Sequence, residues 1–300
     1  MDGMALVQRY GKPDVFLTIT CNPNWPEIEQ ELRHNDEKQN RPYLLTRIFR
    51  AKFEELKNDL FRRHILGPIV AYVYVIEFQK RGLAHAHFLL IFKSRSKVTS
   101  VDLVDKIVCC KIPEKNRYPH LHPIVVKHML HGPSGTLNPN NVCMENNKIF
   151  KNKYPREYVI TTLLGDNSYP QYSCRNDGQQ VKVRGHLLDN KWVVPYNPYL
   201  TAKYDRHINI KICSTVKVVK YLYKYVYKGH DRITFSINDN EQDVDIDEIS
   251  KYQTVKWISP PKAMWRIYGF MLSEMSPSVV SLQLHLEDHQ LITYRDTDNS

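Results

Sequence analysis

No apolar stretch in the 300 residues comes near the roughly 20 that a membrane-spanning helix needs. The longest runs are Ile69–Ile76 and Phe88–Phe92, so no membrane partner is expected. The start, Met-Asp-Gly-Met-Ala, lacks both a basic leader and an apolar signal core, and an intracellular protein is expected. Cysteine is sparse: Cys21, Cys109, Cys110, Cys143, Cys174 and Cys213 form no C-x-x-C pair. In that setting buried thiols, not disulfides, are the expectation. Internal repeats and low-complexity tracts are also missing. With 42% hydrophobic and 25% charged residues, neither a disordered nor a fibrous chain is indicated, and the length suffices for one large or two smaller folded units.

What is present is positive charge and tyrosine. Lys and Arg exceed Asp and Glu by 42 to 32, a net +10, which favours a polyanionic partner. Nineteen tyrosines and four tryptophans add flat surfaces on which unpaired bases can stack.

Along the chain, VFLTITC (Val15–Cys21), bounded by Gly-Lys-Pro-Asp and Asn-Pro-Asn-Trp-Pro, reads as a central strand. Leu45, Ile48, Phe49, Phe53, Leu56 and Leu60 recur at helical spacing and predict an amphipathic helix from about 44 to 63 that covers a sheet. Val70–Phe78 and Ala84–Phe92 read as a hairpin joined by Gln79-Lys80-Arg81-Gly82-Leu83. A short helix is expected over 96–111, strands over 181–194 and 207–213, and helical character over 215–228. The Pro- and Asn-rich stretch 113–170 reads as a loop-rich insertion. An acidic loop over 229–256 puts a boundary near 235–250. The organisation is therefore a domain over 1–235 and an extension over 236–300.

Three constellations could carry chemistry. In His85-Ala86-His87, strand alternation sends both imidazoles to one face. Glu77 and Gln79 share parity on the partner strand, so at least one oxygen-bearing side chain should face the histidines. Nitrogen plus oxygen donors suit Mn²⁺, Mg²⁺ or Zn²⁺, although an isolated His-x-His strand pair is more often an ordinary surface pair. In the segment Lys220–Lys228 (KYLYKYVYK), helical geometry places Tyr221 and Tyr225 beside a strip formed by Lys220, Lys224 and Lys228. A phenol of pKa about 10 is a weak nucleophile at neutral pH and needs a polarised phosphate, cationic neighbours or a base. Simple aromatic packing is the competing reading for that segment. The third group, His128, His131, Cys143 and Cys174, has no spacing characteristic of zinc, and loop and core roles are expected for it.

The segments GKPDVFLTITCNPNWPEI, VAYVYVIEFQKRGLAHAHFLLIF, WVVPYNPYL and VVKYLYKYVYKGHDR, in this order from Gly11 to Arg232, closely resemble the helicase-like N-terminal region of Helitron transposases. The resemblance implies an α+β fold: a replication-initiator nuclease of the HUH class, with a central antiparallel sheet flanked by helices. It maps the paired histidines onto His85 and His87, and the two nucleophilic tyrosines onto Tyr221 and Tyr225. It further implies cleavage of single-stranded DNA dependent on a divalent metal ion (Mg²⁺ or Mn²⁺), leaving a 5′-phosphotyrosine, with strand transfer during rolling-circle transposition in the nucleus. Gln79 or Glu77 is the expected third ligand, with His207 a further possibility. Lys220, Lys224, Lys228, Lys80 and Arg81 are the expected DNA contacts. A helicase domain belongs to the intact parent, yet no G-x-x-x-x-G-K-[ST] occurs here, so this chain is expected to be N-terminally truncated and separated from that helicase. Ser134 and Ile149 or Phe150 stand where cysteines would be expected, and Lys211 stands where an acid would. The alternatives are a non-catalytic single-stranded-DNA-binding remnant and a scaffold without nucleic-acid affinity.

Overall fold

The computed structural model describes residues 3–78, 82–132, 154–165, 169–219 and 258–280. In chain order its elements are α1 (Gly3–Tyr10), β1 (Val15–Thr20), α2 (Pro26–Glu29), α3 (Pro42–Phe61), β2 (Ile69–Phe78), β3 (Ala84–Phe92), α4 (Val101–Ile107) and α5 (Leu121–His128). These are followed by β4 (Val181–Val183), β5 (His186–Leu188), α6 (Pro198–Tyr204), β6 (Ile208–Ile212), α7 (Pro260–Ile267) and β7 (Ser273–Ser276).

The β-branched and aromatic runs pair into one antiparallel sheet of order β6-β1-β3-β2-β7. The α+β architecture expected from the sequence is present. β1 is interior, between β6 and β3, because both of its faces are covered and every residue in it is buried. Alternation sends Leu17, Ile19, Tyr74, Ile76, Ala86, Phe88, Leu90, Ile208 and Ile210 to one face. The apolar stripe of α3 closes that face: Phe53 is fully buried, its ring 4.9 Å from Tyr74 and 5.3 Å from Phe88. α6 adds Leu200 and Tyr204 to the same core, and α7 adds Trp265. On the opposite face Phe16, Val73, Val75, Leu89 and Ile91 pack with Leu6 and Val7 of α1 and with Val218 and Val219.

The hairpin register pairs Glu77 with His85 and Val75 with His87; its turn residues 79–81 lie outside the described residues. Three expectations need correction. The helix expected over 96–111 is confined to Val101–Ile107. Ser100 caps its start by accepting from the Leu103 N–H, and beyond Ile107 the backbone of Cys109 bridges to Tyr196. The strand expected over 181–194 is a tight hairpin, β4-β5, with positive φ at Arg184 (49°) and Gly185 (84°) and a 3₁₀ turn after it. In the expected insertion, α5 places Val125 and Met129 in a third apolar cluster with Leu188, Trp192, Val193 and Tyr196. Of the segment expected to be helical over 215–228, only a 3₁₀ turn at Val216–Val218 and Val219 are described, and the acidic stretch 229–256 lies outside the described residues.

The tail has a clear structural role. β7 pairs with β2, and Glu274 accepts hydrogen bonds from the hydroxyls of Tyr72 and Tyr74 (the latter 2.8 Å) and from Lys57 (2.9 Å). Among the described residues, no helix is long and apolar enough to cross a membrane.

Candidate metal and DNA site

The sheet face opposite α3 is divided along its strands. Cross-strand partners place Lys211, Phe16, Leu89, Val73 and Met275 in one row, and Asn209, Thr18, His87, Val75 and Ser273 in the next. One step further, Thr20, His85 and Glu77 form a row that is polar throughout. The face is thus apolar toward one end of β1 and β3 and polar toward the other.

His85 and His87 lie side by side there, ring centroids 4.8 Å apart and planes 25° apart. His87 is buried and stacks on Phe16 at 5.9 Å, while His85 is half-buried. Each ring is gripped from β1: His85 Nδ1 lies 3.0 Å from Thr20 Oγ1, and His87 Nδ1 lies 3.2 Å from Thr18 Oγ1. On the other side His87 Nε2 lies 3.4 Å from Glu77 Oε2. Burial, foremost, and then His87, His207 and Arg206 hold the His85 imidazole well below its ordinary pKa. Burial, followed by Arg206 and His128, lowers His207 to about 4. His85 and His207 are therefore neutral at pH 7, the form in which an imidazole can ligate a metal.

Two imidazoles with a carboxylate across the hairpin match the donor chemistry of a divalent ion that accepts nitrogen and oxygen. Among the described residues, no group of three or more His, Cys, Asp or Glu is disposed to hold a metal ion. The described residues thus offer two imidazole donors, His85 and His87, with Glu77 beside them and no assembled three-ligand set. Gln79, Lys80, Arg81, Lys220, Tyr221, Lys224, Tyr225 and Lys228 lie outside the described residues. The chain enters the Lys220–Lys228 segment from Val218 and Val219, which belong to the same cluster as Phe16, the ring stacked on His87.

The expected loop and core roles of the remaining His and Cys residues agree with their positions. His128 Nε2 sits 3.3 Å from Asp205 Oδ1, His131 stacks on Tyr154 at 4.4 Å, Cys174 is buried, and Cys143 lies outside the described residues. Burial raises the thiols of Cys21 and Cys110 to about 12, as for inert core cysteines. Sequence reasoning missed Thr18 and Thr20. Their signal was the alternation in VFLTITC, which puts both hydroxyls on one face with the same two-residue spacing as the histidines.

This geometry defines an α+β domain whose antiparallel sheet carries a paired-histidine site on one face. Residues 1–90 match the family described as the Helitron helicase-like domain at the N-terminus, a stretch that runs from α1 into β3 and includes Thr18, Thr20, Glu77, His85 and His87. Over these residues the chain is similar to the helicase-like N-terminal domain of Helitrons. No curated protein matches the chain.

Proposed function

We propose that this chain is a DNA nicking and strand-transfer domain that acts on single-stranded DNA in a Helitron transposase whose parent protein also bears a helicase. The observation that carries this reading is the His85/His87 pair with Glu77 on the very sheet face into which Val218 and Val219 pack, immediately before the Lys- and Tyr-rich segment. His85 and His87, with Glu77 or Gln79, would hold a divalent cation. Bound there, the ion would polarise the scissile phosphate and offset the charge that develops on its oxygens.

The Tyr221 or Tyr225 oxygen attacks phosphorus. A tyrosyl P–O bond forms as the phenol gives up its proton to solvent, the P–O3′ bond breaks, and the leaving 3′-oxygen takes up a proton from solvent to become a hydroxyl. The phosphate stays on the 5′ side as a phosphotyrosine diester. Lys220, Lys224 and Lys228 supply positive charge to the phosphate backbone, and two tyrosines allow one to retain a strand while the other cuts again. In cells such a protein works in the nucleus.

Incubation of the chain with labelled single-stranded DNA and Mn²⁺ should give a covalent adduct that is lost in the Tyr221→Phe/Tyr225→Phe double variant and in His87→Gln. Absence of an adduct over a panel of strand-end sequences, or an adduct unchanged in these variants, overturns the proposal. The +10 charge also supports a second reading, that of a non-catalytic single-strand binder. That reading requires salt-sensitive DNA binding that needs no metal and is unaltered by His85→Ala.

A further inference from the structure

β1 offers the histidine pair a matched partner. Thr18 and Thr20 are two residues apart, as are His87 and His85, and the register sets Thr18 opposite His87 and Thr20 opposite His85. Each hydroxyl meets the Nδ1 edge of its own ring, at 3.2 and 3.0 Å, so the two contacts repeat along the ladder. Both threonines are only 7% exposed, and an interior strand has little freedom to shift them. Strand pairing thereby fixes the rotation of both rings.

From this ladder we infer that Thr18 and Thr20 are positioning residues: their hydroxyl oxygens accept the Nδ1–H of His87 and His85, hold both rings in the Nδ1–H tautomer, and so present both Nε2 lone pairs to a divalent cation. The inference rests on the metal role given to the pair under Proposed function, but the tautomer itself can be read without metal. The chemistry of the surroundings bears on both nitrogens. A neutral imidazole has one N–H; if that hydrogen goes to the threonine, the other nitrogen is the acceptor and the metal ligand. His87 Nε2 lies 3.4 Å from the Glu77 carboxylate, which in the absence of a cation competes with Thr18 for the ring hydrogen and with a cation bound can share it with Nε2 as a second donor. A threonine that accepts from histidine must also direct its own hydrogen elsewhere. Asn209, directly across from Thr18 on β6, has a buried Oδ1 with no hydrogen-bond partner among the described residues.

The test is long-range ¹⁵N–¹H NMR of the histidine rings in the whole metal-free chain at pH 7.5, with resonances assigned through His85→Gln and His87→Gln. Both rings should show the Nδ1–H pattern. Thr20→Val, which keeps the β-branched shape, should turn His85 into a tautomer mixture, Thr18→Val should do so for His87, and the Thr→Ser variants should restore the wild-type pattern. Mn²⁺ affinity, measured calorimetrically, should fall about tenfold or more in Thr18→Val/Thr20→Val and recover with serine. An Nε2–H pattern in the wild-type rings overturns the inference without any variant having to fold. A pattern and an affinity unchanged in a folded double valine variant overturn it as well. If the wild type binds no Mn²⁺, the nuclease reading falls, and the tautomer result alone decides the role of the threonines.

Discussion

The two faces of the sheet come from the same five strands and do opposite things. Toward α3, alternate positions of β1, β2, β3 and β6 are apolar from end to end, and aromatic rings interlock over Phe53. On the other face the same strands are apolar for half their length, then change to Asn209, Thr18, Thr20, His85, His87 and Glu77. Polar side chains cost free energy when taken out of water unless they are paired, so the second face gives up hydrophobic stabilisation where it concentrates polar groups. One side of the pleat is apolar throughout, and the other, at alternate residues, is apolar in one half and polar in the other.

Breaking the first face should produce the largest change. Phe53→Ala removes a fully buried ring between α3 and β3 and should cost about 3–5 kcal/mol in a urea titration. Next comes acid. His128 is buried beside Asp205, and burial, followed by Arg206, lowers its pKa to about 4. Because the unfolded value is near 6.5, the unfolded chain takes up a proton that the folded chain refuses as pH falls from about 6.5 to 4. Stability is therefore retained above 6.5 and lost through that window, by on the order of 2–3 kcal/mol for this group. Melts across that range should show the decline, to which His85 and His207 also contribute, and His128→Asn should make it shallower by the share of that one group.

A smaller effect is expected where the tail meets the sheet. Glu274→Gln weakens the acceptor shared by Tyr72, Tyr74 and Lys57, and a loss of about 1–2 kcal/mol is expected by urea titration. The least change in stability belongs to the polar half of the second face. His85→Gln should alter the unfolding free energy by about 1 kcal/mol or less while eliminating the Mn²⁺-dependent DNA adduct. A large destabilisation by His85→Gln would erase the contrast between the faces.

Much of this was legible in the residues. β1, β2 and β3 are dominated by β-branched and aromatic residues with turn residues at their ends, so their bounds fall within a residue of those read from sequence, and the stripe from Leu45 to Leu60 predicted α3. Strand parity alone put His85 and His87 on one face with Glu77. Less was visible where tertiary contacts decide. Ser-Glu-Met-Ser has no strand signature and becomes β7 because β2 offers an unpaired edge and Tyr72 and Tyr74 offer hydroxyls to Glu274. Trp265 sits in a Pro-containing stretch that gives no hint that its ring fills the core beside Phe49. The hairpin turn at Arg184-Gly185 was marked only by its glycine. The threonines were in plain view, but a hydroxyl on a buried strand acquires a role only when the neighbouring strand, 65 or 69 residues away, is set in register.

The pairing of β2 with β7 joins positions separated by 202 residues. A ribosome finishes the β2–β3 hairpin long before it makes Ser273–Ser276, so for most of synthesis β2 is an outer strand with an open backbone ladder. Such ladders recruit strands from other chains, and contacts this distant in sequence form late and slowly. Emergence of Ser273–Ser276 is thus the step that covers the open edge of β2, and chains interrupted before it would be prone to stick to one another.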